Sequence, residues 1–504
     1  MQLKEIVQEI SVKEINGSIE GIEITGVTYD SRRVQNKHNR YIFVCIEGYK
    51  ESGSKYIAQA LEKGAVALIG QEKPDFPVKV PFILVDDARS ALAKVAAKIY
   101  NYPSDKLRMI GVTGTNGKTT ITYMLESILR EAKLATGVLG TIEYRLGQRV
   151  LPAPTTTPQA SDLQEFLAEM VKQKFGYCVM EVSSHALELK RTEGVEFDVG
   201  VFTNLTRDHL DFHHDFENYL AAKTKLFTGL GHNSRKQGPA SAVINIDDPA
   251  GEKIIAQIPP GVKIFTYGIN NSAANIQATD IKLTPGKSSF TLMINGQDLS
   301  IKLNQTGKHN VYNALAAVGA GLSQGLSAET IKKGLEQVKN VPGRFELIEG
   351  GQNFSVVVDY AHTDDALQNV LTAARELKPK RLITVFGAGG DRDRTKRPLM
   401  GQVASRLSDF CIITSDNPRS EDPEKIALDV ELGIKKIGKN NYTIIIDREE
   451  AVAKAIAMAE DGDLVMIAGK GHENYQVFKD KTIHFDDREF ARAEIQKKIK
   501  TKTR

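Results

Sequence analysis

The segment with the clearest chemical potential is a glycine-rich loop that ends in a lysine and two threonines. It reads Gly111-Val-Thr-Gly114-Thr-Asn-Gly117-Lys118-Thr119-Thr120. Glycines let backbone N–H groups approach phosphate oxygens, and the start of a helix adds partial positive charge. Lys118 would contact the β- and γ-phosphates of a nucleotide, and Thr119 would offer a hydroxyl to Mg²⁺. The loop therefore predicts phosphate binding, although a plain glycine turn before a helix remains the alternative.

The residues around this loop predict the elements that would position it. The apolar run Arg108–Thr113 is typical of a buried strand, and Ile121, Met124 and Ile128 recur at helical spacing. A strand, a glycine loop and a helix in this order form the setting in which a phosphate-binding loop works. The spacing departs from the common phosphate-loop motif G-x-x-x-x-G-K-[ST]. That motif would have a glycine at position 112, where this chain has Val112.

Two further polar segments follow apolar runs and could complete a nucleotide site. Glu181 ends the run that begins at Tyr177, and the string Thr203–His213 follows the run that begins at Val199. A carboxylate at a strand end could bind Mg²⁺, which prefers oxygen ligands. Alone, Glu181 would more often be a solvated carboxylate, and a histidine in the string a packed or surface residue. The phosphate loop is what favours a ligand crevice.

Composition limits the classes of protein that the chain can belong to. Lys plus Arg number 66 and Asp plus Glu number 63, so the formal net charge of +3 argues against general binding of nucleic acid or membrane surfaces. The three cysteines, Cys45, Cys178 and Cys411, are far apart, which favours a reducing compartment. No signal peptide and no apolar run of about 20 residues is evident. We therefore expect a cytoplasmic protein.

The pattern of apolar runs predicts an α/β protein of three domains. A chain of 504 residues suggests roughly two to four domains. Breaks near Asn101–Asp105 and Asn340–Gly343 predict domains at 1–100, 101–340 and 341–504. In the second and third regions strand-like runs alternate with helical segments, which implies mostly parallel sheets.

The ordered series of motifs resembles that of the Mur ligase family over nearly the whole chain. The motifs that carry the resemblance are Gly114–Thr120, Glu181–His185, Thr203–Asp211, Ala222–Phe227, His309–Ala314, Pro342–Glu346, Asp359–His362, Gly387–Met400, Asp416–Arg419 and Gly469–Glu473. Within the family the resemblance is to the diaminopimelate-adding members. It implies a smaller N-terminal α/β domain for a UDP-sugar, a central P-loop ATPase domain with a mostly parallel sheet, and a C-terminal Rossmann-like domain for the amino acid.

The resemblance also implies roles for individual residues. The implied nucleotide contacts are Gly114, Thr115, Asn116, Gly117, Lys118, Thr119, Thr120, Asn310 and Arg344. The implied contacts to a UDP-muramoyl dipeptide are Tyr29, Ser31, Tyr49, Lys50, Glu51, Thr155, Thr156, Thr157, Ser183 and Arg191. The implied diaminopimelate contacts are Arg392, Asp416, Asn417, Pro418, Arg419, Gly469 and Glu473. Leu189 stands where the family often has glutamine.

The implied catalytic residues are Lys118, Glu181, His209 and Lys223. The implied metal ligands are Thr119, Glu181, His209 and Lys223, the last as a carbamate. The activity implied is ATP-dependent, Mg²⁺-dependent amide ligation through an acyl phosphate, in peptidoglycan synthesis. Its partners would be small-molecule substrates only, with no nucleic acid and no membrane insertion, and the protein would be a monomer.

The family's selecting string contains Arg419, for which the residues themselves offer two interpretations. Diaminopimelate ends in an ammonium and a carboxylate, whereas lysine ends in an ammonium alone. The planar guanidinium of Arg419 could hold that carboxylate with two parallel hydrogen bonds. Alternatively, Arg419 could cap a turn after Pro418 or pair with Glu421 or Asp422.

Three other functions compete with the Mur ligase interpretation. Folylpolyglutamate synthetase is a ligase built on similar domains, but the strings Asp416–Arg419 and Gly387–Met400 favour a Mur ligase. A P-loop switch or motor ATPase would turn ATP over without a small amino acid. A dinucleotide-dependent oxidoreductase could be inferred from Gly387-Ala-Gly389-Gly390, but Arg392 occupies the position of the third required glycine.

Overall fold

Three β-sheets, each covered by helices, follow one another along the chain. The structure is a computed structural model that describes residues 1–34, 40–48, 51–232, 235–236, 238–294 and 296–502. The sheets lie within residues 12–85, 108–303 and 346–468, which confirms the predicted α/β class with three domains. The exact domain boundaries stay a prediction. Within the described residues, no helix is long and apolar enough to cross a bilayer.

The N-terminal sheet has five short strands in the order β1-β5-β4-β3-β2. Its strands are β1 (Val12–Asn16), β2 (Gly26–Thr28), β3 (Tyr41–Val44), β4 (Ala67–Gly70) and β5 (Phe82–Val85). Its helices are α1 (Leu3–Val7), α2 (Ile57–Glu62) and α3 (Ala88–Ile99). Only β1 runs antiparallel to its neighbour. Asp87 caps α3 by accepting hydrogen bonds from the N–H groups of Arg89 and Ser90, which fixes where this helix begins.

The central sheet has eleven strands in the order β16-β15-β14-β13-β12-β11-β6-β10-β7-β8-β9. The strands are β6 (Arg108–Thr113), β7 (Thr136–Leu139), β8 (Glu143–Leu146), β9 (Arg149–Pro152), β10 (Tyr177–Glu181), β11 (Val199–Phe202), β12 (Ser241–Asn245), β13 (Lys263–Gly268), β14 (Ile276–Thr284), β15 (Lys287–Ile294) and β16 (Gln297–Leu303). The helices are α4 (Lys118–Glu131), α5 (Ala160–Lys172), α6 (Ser184–Glu188), α7 (Leu210–His213), α8 (Phe216–Thr228), α9 (Pro249–Ile255), α10 (Lys308–Ser323) and α11 (Ala328–Gln337).

The parallel centre of this sheet is what positions the site. Strands β7, β10, β6, β11, β12, β13 and β14 pair in parallel, whereas β8–β9 and β14–β16 form antiparallel extensions at the two edges. The carboxyl ends of β6, β10 and β11 lie side by side, so the segments that follow Thr113, Glu181 and Phe202 meet at one edge. This is the crevice in which open α/β sheets bind ligands.

The C-terminal sheet has six strands in the order β17-β18-β22-β19-β20-β21, and a separate hairpin joins β23 to β24. The strands are β17 (Glu346–Leu347), β18 (Ser355–Asp359), β19 (Leu382–Phe386), β20 (Phe410–Ile413), β21 (Tyr442–Ile444), β22 (Leu464–Ala468), β23 (Tyr475–Val477) and β24 (Thr482–His484). The helices are α12 (Asp364–Glu376), α13 (Lys396–Leu407), α14 (Pro423–Ile437), α15 (Arg448–Met458) and α16 (Asp487–Lys502). Strands β18 to β22 in this sheet are parallel, as predicted.

The three cysteines are packed as small apolar side chains, each in a different domain. Cys45, Cys178 and Cys411 are free and buried. Burial raises the pKa of each thiol to about 12. None of them can therefore serve as a nucleophile at neutral pH.

Candidate active site

The phosphate-binding loop has the geometry that only glycine permits at two positions. Gly114 has φ +143°, and a Cβ there would lie 1.8 Å from Oγ1 of Thr203. Gly117 has φ +90°, and a Cβ there would lie 2.4 Å from Oδ1 of Asn313. A side chain at either position would displace the loop from β11 or from α10. The predicted strand–loop–helix is therefore confirmed, with α4 beginning at Lys118.

The side chain of Lys118 curls back over this loop. Its Nζ donates to the carbonyl oxygens of Gly114 and Thr115, both at 2.9 Å. Burial lowers the pKa of Lys118, while the nearby carboxylates Glu181 and Asp208 oppose that shift. The ammonium group thus lies between the loop and two acidic residues, close to where phosphate oxygens would bind.

Neighbouring strands and helices hold the loop in shape. Thr203 Oγ1 donates to the carbonyl oxygen of Asn116 at 2.6 Å, and Asn204 Oδ1 accepts from the N–H of Asn116 at 2.9 Å. On α10, Asn313 Nδ2 donates to Asn310 Oδ1 at 3.0 Å. The predicted nucleotide contact Asn310 is therefore buried beside the loop, next to a residue that sequence reasoning did not single out.

Glu181 is a buried carboxylate at the carboxyl end of β10. It accepts hydrogen bonds from the N–H and Oγ1 of Thr141 at 2.8 and 2.9 Å. Among the described residues it forms no ion pair with a lysine or arginine within 4.0 Å. A buried carboxylate at the same sheet edge as the loop fits Mg²⁺, which prefers oxygen ligands. No group of three His, Cys, Asp or Glu in the described part of the chain forms a metal site by itself.

Lys223 approaches the same loop from α8. Its Nζ donates to the carbonyl oxygen of Gly114 at 2.9 Å and lies 4.3 Å from the ring centroid of Tyr219. The side chain is buried, and burial together with the charge of Lys118 lowers its pKa well below the usual range. His209 lies on the same side, where its ring contacts that of His185 at a centroid distance of 4.6 Å. Both predicted residues therefore lie at the loop.

The residues predicted to contact the muramoyl dipeptide form a network around Glu181. Thr157 Oγ1 donates to the carbonyl oxygen of Glu181 at 2.8 Å and accepts from the N–H of Ser183 at 3.1 Å. Arg191 Nη1 donates to the carbonyl oxygen of Thr157 at 3.1 Å. Thr156 Oγ1 lies 3.1 Å from the Thr141 hydroxyl that donates to Glu181. The structure therefore joins this cluster to the carboxylate end of β10.

Thr155, the first residue of that threonine run, is exposed, and its Oγ1 donates to the carbonyl oxygen of Thr157 at 2.9 Å. Leu189, at the position where the family often has glutamine, follows the last residue of α6.

The residues predicted to contact the UDP-sugar lie farther away, in the N-terminal domain. Tyr29 Oη donates to Asp162 Oδ2 at 3.3 Å, which joins this domain to α5 of the central one. Ser31 is buried, and Glu51 is exposed. The two remaining predicted contacts, Tyr49 and Lys50, lie outside the described residues.

The C-terminal domain contacts the phosphate loop directly. Arg344 Nη2 donates to Thr119 Oγ1 at 3.2 Å, and its buried Nε has no hydrogen-bond partner in the described part of the chain. Asp365, in the first turn of α12, accepts from Asn116 Nδ2 at 3.2 Å and from Thr206 Oγ1 at 2.6 Å. The nucleotide loop and the third domain therefore share one site.

The predicted amino-acid contacts gather at the carboxyl ends of β19, β20 and β22. Arg419 is half-buried, and its Nη1 donates to the carbonyl oxygen of Gly390 at 2.7 Å. It forms no ion pair with any described acidic residue, so the alternative pairing with Glu421 or Asp422 is wrong. The side chain of Arg392 is exposed. Gly389 lies next to both arginines, since a Cβ built on it would be 3.7 Å from Cγ of Arg392 and 3.0 Å from Nη1 of Arg419.

Glu473, another predicted amino-acid contact, follows the carboxyl end of β22. Its Oε2 accepts from Asn417 Nδ2 at 2.8 Å and from Lys470 Nζ at 3.1 Å. Asp416 is buried, its Oδ2 has no partner among the described residues, and a Cβ at Gly469 would lie 2.6 Å from that oxygen. The loops at the carboxyl ends of β19, β20 and β22 therefore carry carboxylates and a guanidinium, the groups that a zwitterionic ligand would pair with.

The neighbouring glycines explain why the Gly387-Ala-Gly389-Gly390 string is not a dinucleotide motif. A Cβ at Gly387 would lie 2.3 Å from the carbonyl oxygen of Thr414, and one at Gly390 would lie 1.9 Å from that of Pro418. These glycines allow two loops to pack against each other.

Two functional residues were missed by sequence reasoning. Asp365 joins the loop to the third domain, and Lys396 lies where Asp208 and Asp416 both oppose the lowering of its pKa by burial. The charges of Asp208 and Asp416 thus both act on Lys396, whose Nζ donates to the carbonyl oxygen of His362 at 3.1 Å. Its position within the string Gly387–Met400 was the only signal that could have identified it.

Fold and site together define a three-domain α/β enzyme whose central domain carries a nucleotide phosphate loop and whose third domain contacts it. The chain belongs to the Mur ligase family. The matching family models are the Mur ligase family catalytic domain over residues 23–100, the Mur ligase middle domain over 112–321 and the Mur ligase glutamate ligase domain over 343–471. The prediction of an ATP-dependent ligase of this family is confirmed.

Similar proteins agree over nearly the full length. The UDP-N-acetylmuramoyl-L-alanyl-D-glutamate--2,6-diaminopimelate ligase of Syntrophomonas wolfei is 45% identical, over 99% of this chain and 100% of its own. The corresponding ligase 1 of Clostridium acetobutylicum is 46% identical, over 97% and 98%. A solved structure of a ligase with the same name is 33% identical, with a TM-score of 0.69 and 99% of each chain covered.

A folylpolyglutamate synthase of Mycobacterium tuberculosis, solved as a complex with ADP and AMPPCP, has a TM-score of 0.60. It is 17% identical and covers 76% of this chain and 92% of its own, so it shares the fold alone.

Proposed function

We propose that this chain joins meso-diaminopimelate to UDP-N-acetylmuramoyl-L-alanyl-D-glutamate, with ATP and Mg²⁺, in the cytoplasm. The relatives at 45% and 46% identity carry the name of this activity. The observation that carries the proposal is Arg419, a half-buried guanidinium that donates to the carbonyl oxygen of Gly390 at 2.7 Å and has no ion-pair partner among the described residues.

The first half of the reaction makes the dipeptide carboxylate electrophilic. A carboxylate oxygen attacks the γ-phosphorus of ATP, the bond to the β,γ-bridging oxygen breaks, and ADP leaves, so that an acyl phosphate forms. Lys118 and the amides of residues 114–117 neutralise the phosphate charge, and Arg344 donates from the third domain through its free Nε. Catalysis of this kind is mainly positioning and charge stabilisation.

The ligands of Mg²⁺ would be Thr119 Oγ1 and the carboxylate of Glu181, with His209 and Lys223 at a second position. When bound, the ion would neutralise charge on the phosphate oxygens. Glu181 fits this role because its carboxylate is buried and has no ion-pair partner among the described residues.

Lys223 fits the proposed carbamate. Burial and the charge of Lys118 lower its pKa, which makes the neutral amine that adds CO₂ more accessible than in an exposed lysine. The product is an anionic, oxygen-rich ligand.

The second half of the reaction requires an amine next to the acyl phosphate. The neutral amine attacks the acyl carbon, and the tetrahedral intermediate collapses with cleavage of the bond between that carbon and the phosphate oxygen. The proton lost by the amine nitrogen departs with the phosphate, which leaves as hydrogen phosphate. Lys396, on which the charges of Asp208 and Asp416 both act, would stabilise the anionic intermediate. The pocket residues Arg419, Asn417 and Glu473 would hold the far end of the amino acid, with Glu473 accepting from its ammonium and Arg419 donating to its carboxylate.

Selection between diaminopimelate and lysine tests the proposal. Lysine would leave Arg419 desolvated and unpaired, at a cost of about 2–5 kcal/mol for a charge that loses its partner. That corresponds to roughly 30-fold to several thousand-fold in kcat/KM at about 1.4 kcal/mol per decade. The experiment measures ADP release with UDP-muramoyl dipeptide and either meso-diaminopimelate or L-lysine, in wild type and in Arg419→Ala.

The matched control is Arg394→Ala, since Arg394 is an exposed arginine whose Nη2 contacts Asp429 at 3.1 Å. A wild type that prefers lysine would refute the substrate. An Arg419→Ala enzyme with unchanged preference would refute the role of Arg419. The Arg394→Ala enzyme should keep the wild-type preference.

A further inference from the structure

Arg397, near the start of α13, is fully buried although it carries a charge. Its Nη1 donates to Glu421 Oε2 at 3.0 Å, and its Nη2 donates to Glu421 Oε1 at 2.7 Å. Nη1 also donates to Asp429 Oδ2 at 2.9 Å, and Nη2 reaches the carbonyl oxygen of Gly389 at 3.3 Å. A bidentate guanidinium–carboxylate pair fixes orientation as well as distance. Arg397 therefore determines where the carboxylate of Glu421 lies.

The peptide unit between Gly390 and Asp391 separates Glu421 from Arg419. The carbonyl oxygen of Gly390 accepts from Arg419 Nη1 at 2.7 Å, while the N–H of Asp391 donates to Glu421 Oε1 at 2.6 Å. In a planar trans peptide these two groups point in opposite directions. Arg419 and Glu421 therefore contact opposite edges of one peptide unit, although they are only two residues apart in sequence.

Glu421 would be an effective competitor for Arg419 if it were released. The hydrogen bonds from Arg397 lower the pKa of Glu421 to about 2, and without them a glutamate still has an ordinary pKa of about 4.3, so the carboxylate is ionised at neutral pH in both cases. A carboxylate two residues away from a guanidinium is the nearest internal counter-ion that the sequence offers. An arginine paired in this way would have no reason to prefer a substrate that brings a second carboxylate.

We propose that Arg397 is a positioning residue for amino-acid selectivity. By holding Glu421 on the far edge of the Gly390–Asp391 peptide, it leaves the guanidinium of Arg419 for the distal carboxylate of the incoming amino acid. The inference rests on the proposed role of Arg419. Removal of Arg397 frees Glu421 to pair with Arg419 and so weakens the preference for diaminopimelate over lysine.

The test compares the ratio of kcat/KM for meso-diaminopimelate to that for L-lysine in four proteins: wild type, Arg397→Met, Glu421→Gln and the double variant. We expect Arg397→Met to lower the ratio by about five- to tenfold, since a charge-assisted hydrogen bond in a half-buried site now competes with the substrate. The change should lie in the KM for diaminopimelate, with the KM for ATP unchanged. Glu421→Gln should keep the wild-type ratio, and the double variant should regain it.

The rescue separates this role from a general packing role, because a double variant that had merely lost packing would stay impaired. An unchanged ratio in Arg397→Met, or a double variant as unselective as Arg397→Met, overturns the inference. If Arg397→Met does not fold, Arg397→Lys replaces it, since a lysine cannot hold both oxygens of Glu421 together with Asp429. Its ratio should fall by less and should again be restored by Glu421→Gln; a ratio that does not fall, or is not restored, overturns the inference.

Arg419→Ala, measured in parallel, distinguishes failure of the proposed role of Arg419 from failure of the role assigned to Arg397. If Arg419→Ala keeps the wild-type preference, the proposed function of Arg419 fails and this inference fails with it. If Arg419→Ala loses the preference while the Arg397 variants keep it, only the inference about Arg397 fails.

Discussion

The buried ion pair between Arg448 and Asp487 gives a sharp prediction about the stability of the third domain. Both side chains are 0% exposed, and Nε and Nη2 of Arg448 donate to the two carboxylate oxygens at 2.8 and 2.7 Å. Nη2 also donates to the carbonyl oxygen of Ala468 at 3.0 Å, and Nη1 to that of Ser415 at 3.4 Å. The ion pair therefore connects the first residues of α15 and α16 to the segments at the carboxyl ends of β20 and β22. The predicted amino-acid contacts Asp416 and Gly469 directly follow Ser415 and Ala468.

Replacing Arg448 by methionine keeps most of the volume but leaves the carboxylate of Asp487 buried without a cation. Breaking a buried pair in this way costs about 3–5 kcal/mol. The expected loss is therefore about 3–5 kcal/mol, or roughly two to three and a half orders of magnitude in the opening equilibrium.

Hydrogen exchange of the amides of Leu464–Ala468 measures this loss locally. A chain of three domains does not unfold in two states, so a whole-chain midpoint would not isolate the effect. The control is Lys435→Met, which breaks the exposed pair with Glu431 at 2.8 Å and should cost about 0.5 kcal/mol or less. Protection in Arg448→Met that equals the protection in this control would refute the reasoning about burial.

Three further predictions concern the nucleotide half of the site. Lys118→Ala should lower ADP release by about a thousandfold with unchanged circular dichroism, because charge on the phosphates is no longer neutralised; near-normal release would contradict the assignment. Lys223→Ala should be nearly inactive and partly rescued by high concentrations of formate or acetate, and full activity without rescue would contradict a metal-ligand role. Asp365→Ala should raise the KM for ATP by about 30-fold, since two hydrogen bonds to the central domain are lost, each worth on the order of 1 kcal/mol. Asn369→Ala, which removes only a bond within α12, is its control, and equal effects of the two would argue against a bridge.

Local patterns predicted the local parts of the fold. The bounds of the strand Arg108–Thr113 are as predicted, because every residue after Arg108 in this run is buried. The strands β14–β16 were not predicted. Their burial alternates, half of each strand faces solvent, and polar residues such as those in Ile276–Thr284 conceal the pattern.

The candidate site was predictable only in part, because several of its contacts join distant segments. The phosphate loop is contained in one short segment, so its spacing alone identified it. Lys223 reaches the carbonyl oxygen of Gly114 across 109 residues of sequence, and only the family resemblance placed it there. Asp365 and Arg397 act through partners on other elements, and no periodicity or motif spacing encodes such contacts.

Because all three cysteines are buried, thiol-reactive dyes could be attached selectively to cysteines introduced at exposed positions. A thiol whose pKa is about 12 carries almost no thiolate at neutral pH, so maleimide dyes would not react with the native residues. Cysteines introduced at Val150 on β9 and Leu432 on α14, which are 53% and 60% exposed, would therefore be the reactive pair. Energy transfer between dyes at these positions would follow the relative motion of the central and third domains during turnover, with every native cysteine left in place.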